Sequence, residues 1–301
     1  MTLTNYASDG QYPILIALVR VLAAHGPLPR EDLVRICTVG DDKHTKATLS
    51  TWTDLGLFVA DNENEVRFGG SFSKRRGETL EELTDRLSAH CRRTIFDQRC
   101  ALPLWRPDGT RRDEDIGASA DFVRELAWTL SQDIYSLTFD TPAETVEALE
   151  NRQVIPGKYV FINRTRWPGL CFWARYTGFA SADGRTIDPT DAIREVLPEL
   201  FATSKQLPAA EFLRQLHELL PVLDSGNYRV AVEAVLDDSV WQRPPADHLS
   251  MSLSFALRRL QLDQTIVLEA QADAGKIFFL SGRDFRVLDR FSRVEWQAPP
   301  I

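Results

Sequence analysis

Lys43, Lys46, Ser50 and Thr51 lie along the stretch KHTKATLST at spacings that, on a helix, gather them toward one side. Cations and hydroxyls at a helix start suit phosphate oxygens, because the unpaired backbone N–H groups of the first turn point the same way. Lys74-Arg75-Arg76 adds three further cations downstream. These residue types point to contact with a nucleic-acid backbone rather than to bond-breaking chemistry.

The catalytic candidates dissolve one by one. His44-x-Lys46 opens the HxKxxxxD pattern of phospholipase-D-type nucleases, yet the Asp position holds Thr51 and no second copy occurs. His90, Cys91 and Cys100 lack a fourth ligand at zinc spacing, so they read as a half-exposed histidine and buried thiols. In IDPTD, Asp188 reads as an N-cap, Pro189 as the first helical residue and Asp191 as a first-turn acid of a helix to Phe201. Walker A, GxGxxG, HExxH, GxSxG and CxxC patterns are all missing. No catalytic residue, metal or cofactor is expected. An enzyme whose site is assembled from distant residues stays open as an alternative.

The elements that position Lys43–Thr51 follow from periodicity. Helices are predicted over Pro13–His25, stopped by Gly26-Pro27, and over Arg30–Ile36. A third follows the Thr38-Val39-Gly40 turn, capped by Asp41 or Asp42, and runs to Leu55 before Gly56. It buries Leu49, Trp52 and Leu55 and places Thr51 at the edge of the outer side. Two β runs, Leu57–Val59 and Glu65–Phe68, flank the turn Asp61-Asn62-Glu63-Asn64. Over roughly residues 10–70 this order resembles the winged helix-turn-helix superfamily. Asp61, Glu63 and Glu65 make the wing acidic, so Lys74-Arg75-Arg76 is expected to supply the backbone contact instead.

A second such module is read near the C-terminus. Its helices are Ala209–Leu220, Tyr228–Leu236 and Leu249–Gln261, and its wing pairs Thr265–Ala270 with Lys276–Leu280. Leu253-Ser254 echoes Leu49-Ser50. The third helix carries Met251, Phe255 and Leu262 with Arg258 on its outer side, a second apolar line that predicts docking onto protein, rimmed by Arg258 or Arg259. The tail Arg283–Trp296 alternates basic and apolar residues and either clamps onto the core or reaches DNA.

Between the modules, Thr79-x-x-Glu82 is a capping box for a helix Leu80–Ile95. Further helices are expected over Ala118–Tyr135 and from Thr141-Pro142 through Leu149. From Tyr159 the pattern turns β-like and aromatic. Arg164, Arg166, Trp167 and Arg175 there either contact and stack bases or, as favoured, belong to a packed core with snorkelling arginines.

The fold class expected is mainly α with small β-hairpin wings, in modules 1–76 and 206–301 around a mixed helical/β connector 77–205. Net charge is −8. It is zero in residues 1–76, +1 in 248–301 and −9 between, so acidity belongs to the connector. No apolar run reaches about 18 residues, which argues against a membrane span. Four dispersed cysteines and an N-terminus without a signal-peptide pattern fit a reducing cytoplasm.

The runs IDPTDAIREVLPELF (187–201), PVLDSGNYRVAVE (221–233) and LSMSLSFALRRLQ (249–261) give a further resemblance. In these and in overall order, across most of residues 10–280, the chain resembles the DpdG proteins. That resemblance implies a cytoplasmic, non-catalytic component of a bacterial anti-phage system that places 7-deazaguanine derivatives in DNA and restricts unmodified DNA. Its implied partners are DNA, bound weakly or salt-sensitively, and a helicase or other ATPase or a nuclease of the same system. The competing reading from the first module alone is a dimeric transcriptional regulator.

Overall fold

The computed structural model describes residues 3–5, 12–61, 64–70, 72–112, 114–271 and 275–297. The chain is mainly α-helical with small antiparallel sheets. It divides into two compact units, residues 1–123 with 162–177 and residues 124–161 with 178–301. These limits differ from the expected boundaries at 76 and 205, because helices from the presumed connector complete the core of each unit.

In the first unit, α1 (Tyr12–His25), β1 (Leu28–Pro29), α2 (Arg30–Cys37), α3 (Lys43–Asp54), β2 (Phe58–Ala60) and β3 (Glu65–Phe68) follow in order. The strands form one antiparallel sheet, β1-β3-β2, with Leu28 and Ala60 both opposite Val66. Gly56 ends α3 in the left-handed region at φ 81°, which lets the Leu57 N–H donate to Trp52 O at 2.9 Å. The hairpin closes tightly at its base: a Cβ on Gly69 would sit 2.0 Å from Gly56 O. Asn62 and Glu63 of the turn lie outside the described residues.

The capping box forms, Thr79 Oγ1 accepting from Glu82 N and Glu82 Oε2 from Thr79 N. The single helix expected over Leu80–Ile95 is two, α4 (Leu80–Asp85) and α5 (Leu87–Phe96), with Arg86 between them. The short α6 (Gln98–Ala101), then α7 (Ala120–Leu130) and α8 (Ala143–Gln153), come next. The β-like reading after Tyr159 is overturned: Arg164–Arg166 is a 3-10 turn leading into α9 (Trp167–Tyr176). Pro168 stands in the first turn of α9, where it is tolerated, and Phe172, Trp173 and Tyr176 are spaced to share a helical face. The Tyr12 ring stacks on Phe172 at 4.3 Å and on Tyr176 at 4.6 Å, and Trp173 packs on Trp52 at 5.5 Å. Thus α9 backs α1 and α3 from inside the unit. Gly169 is needed there, since a Cβ would come within 1.9 Å of Thr4 O.

The second unit holds α10 (Thr190–Leu200), β4 (Gln206–Pro208), α11 (Ala209–Leu219), α12 (Asn227–Glu233), α13 (Met251–Leu262), β5 (Ile266–Glu269), β6 (Phe278–Ser281), β7 (Val287–Phe291) and β8 (Arg293–Trp296). The wing expected from Thr265–Ala270 and Lys276–Leu280 does not pair. Instead β5 pairs with β8, β4 flanks β8 on its other side, and β6 pairs with β7. Val294 explains the choice: it is fully buried, with Leu207 and Leu268 as its two cross-strand neighbours.

The two sheets have one plan. Orders β1-β3-β2 and β4-β8-β5 match, and so do the registers Leu28–Val66–Ala60 and Leu207–Val294–Leu268. The helix ends match too, with Thr265 N–H donating to Leu260 O at 2.8 Å and Gln264 taking Gly56's place at φ 56°. Hence α1-β1-α2-α3-β2-β3 corresponds to α10-β4-α11-α13-β5-β8, and α12 and the β6–β7 hairpin are insertions. The first helix of the second module is therefore α10, not Ala209–Leu220. Counting back from Leu57 and Thr265, Leu49-Ser50 corresponds to Leu257-Arg258, so the Leu253-Ser254 echo is displaced by one helical turn.

Candidate nucleic-acid interface

On α3, Lys43 and Lys46 are exposed and Ser50 is half-buried. Thr51 is 1 % exposed and so leaves the set of contact residues. At 100° per residue it turns toward the buried Thr48 and Trp52 rather than to the outer side. Lys46 Nζ meets Asp42 Oδ2 at 2.7 Å, whereas the Lys43 ammonium has no ion-pair partner among the described residues. Asp41 takes the capping task, accepting from the Lys43 N–H at 3.0 Å.

Beside the α3 start lies an open depression of about 640 Å³ lined by Arg30, Arg35 and Lys46 with Glu31, Asp42 and Asn64. Arg30 is held there by its own N–H on Asn64 O at 3.1 Å, which ties the start of α2 to the hairpin. Arg30 and Arg35 were legible in the sequence only as helix-start and helix-end residues. Their approach to Lys46 depends on how α2 folds back toward α3. Asp32 draws off part of Arg35's charge, at 2.7 Å.

Lys74, Arg75 and Arg76 are exposed on the segment between β3 and α4. Glu78 fixes that segment's backbone: Oε2 accepts from the Arg75 N–H at 2.8 Å, and both oxygens take the Arg86 guanidinium. Arg86 also donates to Ser73 O and lies 4.5 Å over the Phe72 ring. The Arg86 hydrogen bond, followed by the Arg75 amide, holds the Glu78 carboxyl down at about 2. Asp61 of the β2–β3 turn, one of the acids expected to repel a phosphate backbone, accepts from the Glu65 N–H at 2.9 Å, and Glu63 lies outside the described residues.

The other expected contacts fare unevenly. Arg164 and Arg175 are exposed, but Arg166 and Trp167 are 6 % and 3 % exposed, so neither can stack on a base. The aromatic run is absorbed by packing against α1 and α3. On α13, Met251 is 6 % exposed and so is no outer-face residue. Ser254, in the place of Lys46, is fully buried and accepts from the Ser281 N–H at 2.8 Å. Arg258, in the place of Ser50, pairs with Asp289 at 3.3 Å. The inserted hairpin therefore covers the face of α13 that α3 leaves open. Phe255 is half-buried under the Arg259 guanidinium, 5.9 Å away, Arg259 pairs with Asp188, and Leu262 is 68 % exposed.

Asp188 is buried and also accepts from the Thr190 N–H at 2.9 Å, one residue ahead of the expected cap geometry, since Pro189 is the N-cap. Burial pushes the Cys91 thiol up, and burial with Arg86 and Arg93 nearby lowers His90 to about 4. Among the described residues no three His, Cys, Asp or Glu side chains gather as a metal site would. Also among them, no helix is long and apolar enough to cross a membrane.

A family model described as DpdG-like matches residues 1–274, so the chain belongs to that family. No curated protein and no solved structure matches it.

Proposed function

We propose that the chain is a non-catalytic, DNA-binding adapter of a bacterial 7-deazaguanine DNA modification and restriction system, working in the cytoplasm beside an ATPase or a nuclease. Family membership supports the system. The adapter reading rests on one contrast. In the first module, read as a winged helix, α3 leaves Lys43 and Lys46 in solvent with Arg30 beside them, while the corresponding face of α13 is sealed by its own hairpin. DNA is thus contacted from one module, through backbone phosphates rather than bases, and the second module serves protein contacts.

Fluorescence anisotropy with duplex DNA, together with mass spectrometry of complexes purified from the native host, tests this. Binding that weakens steeply with salt, varies little with sequence and accompanies a stable protein partner is expected. Recovery of the protein alone, with nanomolar affinity for one palindromic operator, would overturn it in favour of a dimeric regulator.

A further inference from the structure

The hairpin inserted between β5 and β8 seals α13 and carries a second, uncovered surface on β7. A strand over a core alternates buried and exposed side chains, yet Val287 and Leu288 are consecutive and both about half exposed, 49 % and 46 %. The cause is the register shift between Leu280 and Ser281, which leaves Leu288 without a cross-strand partner. The Leu288 side chain lies over Gly282, where a Cβ would come within 2.9 Å of it.

Cations frame this apolar pair. Arg286 and Arg290 are exposed, and their side chains make no hydrogen bond or ion pair among the described residues. Arg283, before the turn, reaches Tyr135 O at 3.4 Å, and Tyr135 is itself exposed. Asp289 is taken by Arg258 at 3.3 Å, which leaves, among the described residues 283–290, one unpaired carboxylate, Asp284, against three arginines. In a chain of net charge −8 this ridge is locally positive. Its backbone edge is blunted against strand addition. Phe279 turns its N–H and C=O away from β7, onto Asp247 O and the Leu249 N–H, both at 2.9 Å, so its partner Arg290 turns away from β6. Asp289 Oδ1 accepts that outward Arg290 N–H at 2.8 Å. Side chains, not a shared ladder, therefore carry the recognition here.

We infer that Arg286, Val287, Leu288 and Arg290 dock an acidic segment of a partner protein, one that sets aliphatic or aromatic side chains between its carboxylates. Guanidinium forks pair bidentately with carboxylates, and arginines flanking an exposed apolar pair fit the composition of a protein interface. A phosphate backbone would engage the arginines but leave Val287 and Leu288 uncovered, which favours protein over nucleic acid. The inference rests on the adapter reading for the existence of a protein partner, and it gives that partner's contact a place and a chemistry.

The test is fluorescence anisotropy of the full chain, free of DNA, with a labelled Glu-Asp-Leu-Leu-Glu-Asp-Phe-Glu peptide. Two control peptides replace its apolar residues by Ser or its acidic residues by Lys. The variants are Arg286→Ala with Arg290→Ala, and Val287→Ser, all at exposed positions and checked by circular dichroism and melting temperature. The acidic apolar peptide is expected to bind wild type, more weakly as salt rises, and both controls at least tenfold more weakly. The double variant should weaken binding at least tenfold and Val287→Ser severalfold. The proposal is overturned if the peptide does not bind at millimolar concentration, if either control matches it, or if the folded variants bind as wild type does. It is equally overturned if removing the two arginines abolishes a self-association of wild type or its binding of a short DNA duplex, because the ridge would then belong to a second copy or to nucleic acid. Should a variant unfold, the control peptides decide on wild type alone. Duplex binding through Lys43 and Lys46 tests the adapter reading separately, so the two can fail independently.

Discussion

Asp289 of the inserted hairpin meets Arg258 of α13 at 3.3 Å, on the side of the helix where the first module has the half-buried Ser50. Both side chains are more than one-third exposed, 45 % and 41 %, so the pair itself contributes little stability. Its value is diagnostic. It marks the hairpin lying over the α13 face, and Ser281 on Ser254 marks the same contact deeper in.

The first prediction concerns that asymmetry. Lys43→Ala with Lys46→Ala should reduce the salt dependence of DNA binding by about two phosphate contacts and weaken affinity on every sequence alike. Replacing Arg258 with Ala should leave DNA binding unchanged. Anisotropy titrations between about 50 and 200 mM salt read both results; a loss of binding with Arg258→Ala would assign DNA to the wrong module.

A second prediction follows from Glu78. Its folded-state carboxyl titrates near 2 rather than 4.5, because Arg86 and the Arg75 amide favour the charged form. The order it confers on the Lys74–Arg76 segment is therefore complete above pH 4.5 and lost as pH falls toward 2. The protection factor of the Arg75 amide, which divides out the intrinsic pH dependence of exchange, should fall over that window. Glu78→Gln should show the lowered protection already at neutral pH.

His217 gives a third. Burial, with Arg229 adding to it and Asp224 opposing, lowers this imidazole from 6.5 to about 4. The folded protein thus keeps it neutral where the unfolded chain takes up a proton. Stability is full above pH 6.5 and declines as pH falls toward 4. Chemical denaturation at stepped pH values should show this decline, and His217→Gln should flatten it.

Gly169→Ala is the fourth. The new methyl would meet Thr4 O, whose neighbouring N–H and hydroxyl are anchored on Asp121 Oδ2 at 2.8 and 2.7 Å. Backbone against backbone cannot yield by a rotamer change, so overpacking should cost about 1–3 kcal/mol. Thermal melting reads it directly. A melting temperature equal to wild type would mean that the segment around Thr4 moves aside freely.

The helices of the first module were legible because each has its own punctuation, Gly26-Pro27, the Asp41-Asp42 pair and Gly56. Strand pairing in the second module was not, since a hairpin rule favours neighbours in sequence and β5 instead selects β8 across an insertion. The aromatic run 167–176 misled because rings favour strands on average, whereas Pro168 and the spacing of Phe172, Trp173 and Tyr176 fit a helix. Thr51 was misplaced by a fraction of a turn, enough to move it from solvent to core.

The shared plan of the two sheets carries a kinetic consequence. The first closes when Leu28 meets Val66, the second only when Leu207 meets Val294. Closing a loop of roughly doubled length costs about 0.6 kcal/mol more, and non-local pairing slows folding further. On a ribosome the cationic face of α3 can be complete before β8 has been made. The sheet beside α3 is then complete while the second sheet still waits for β8.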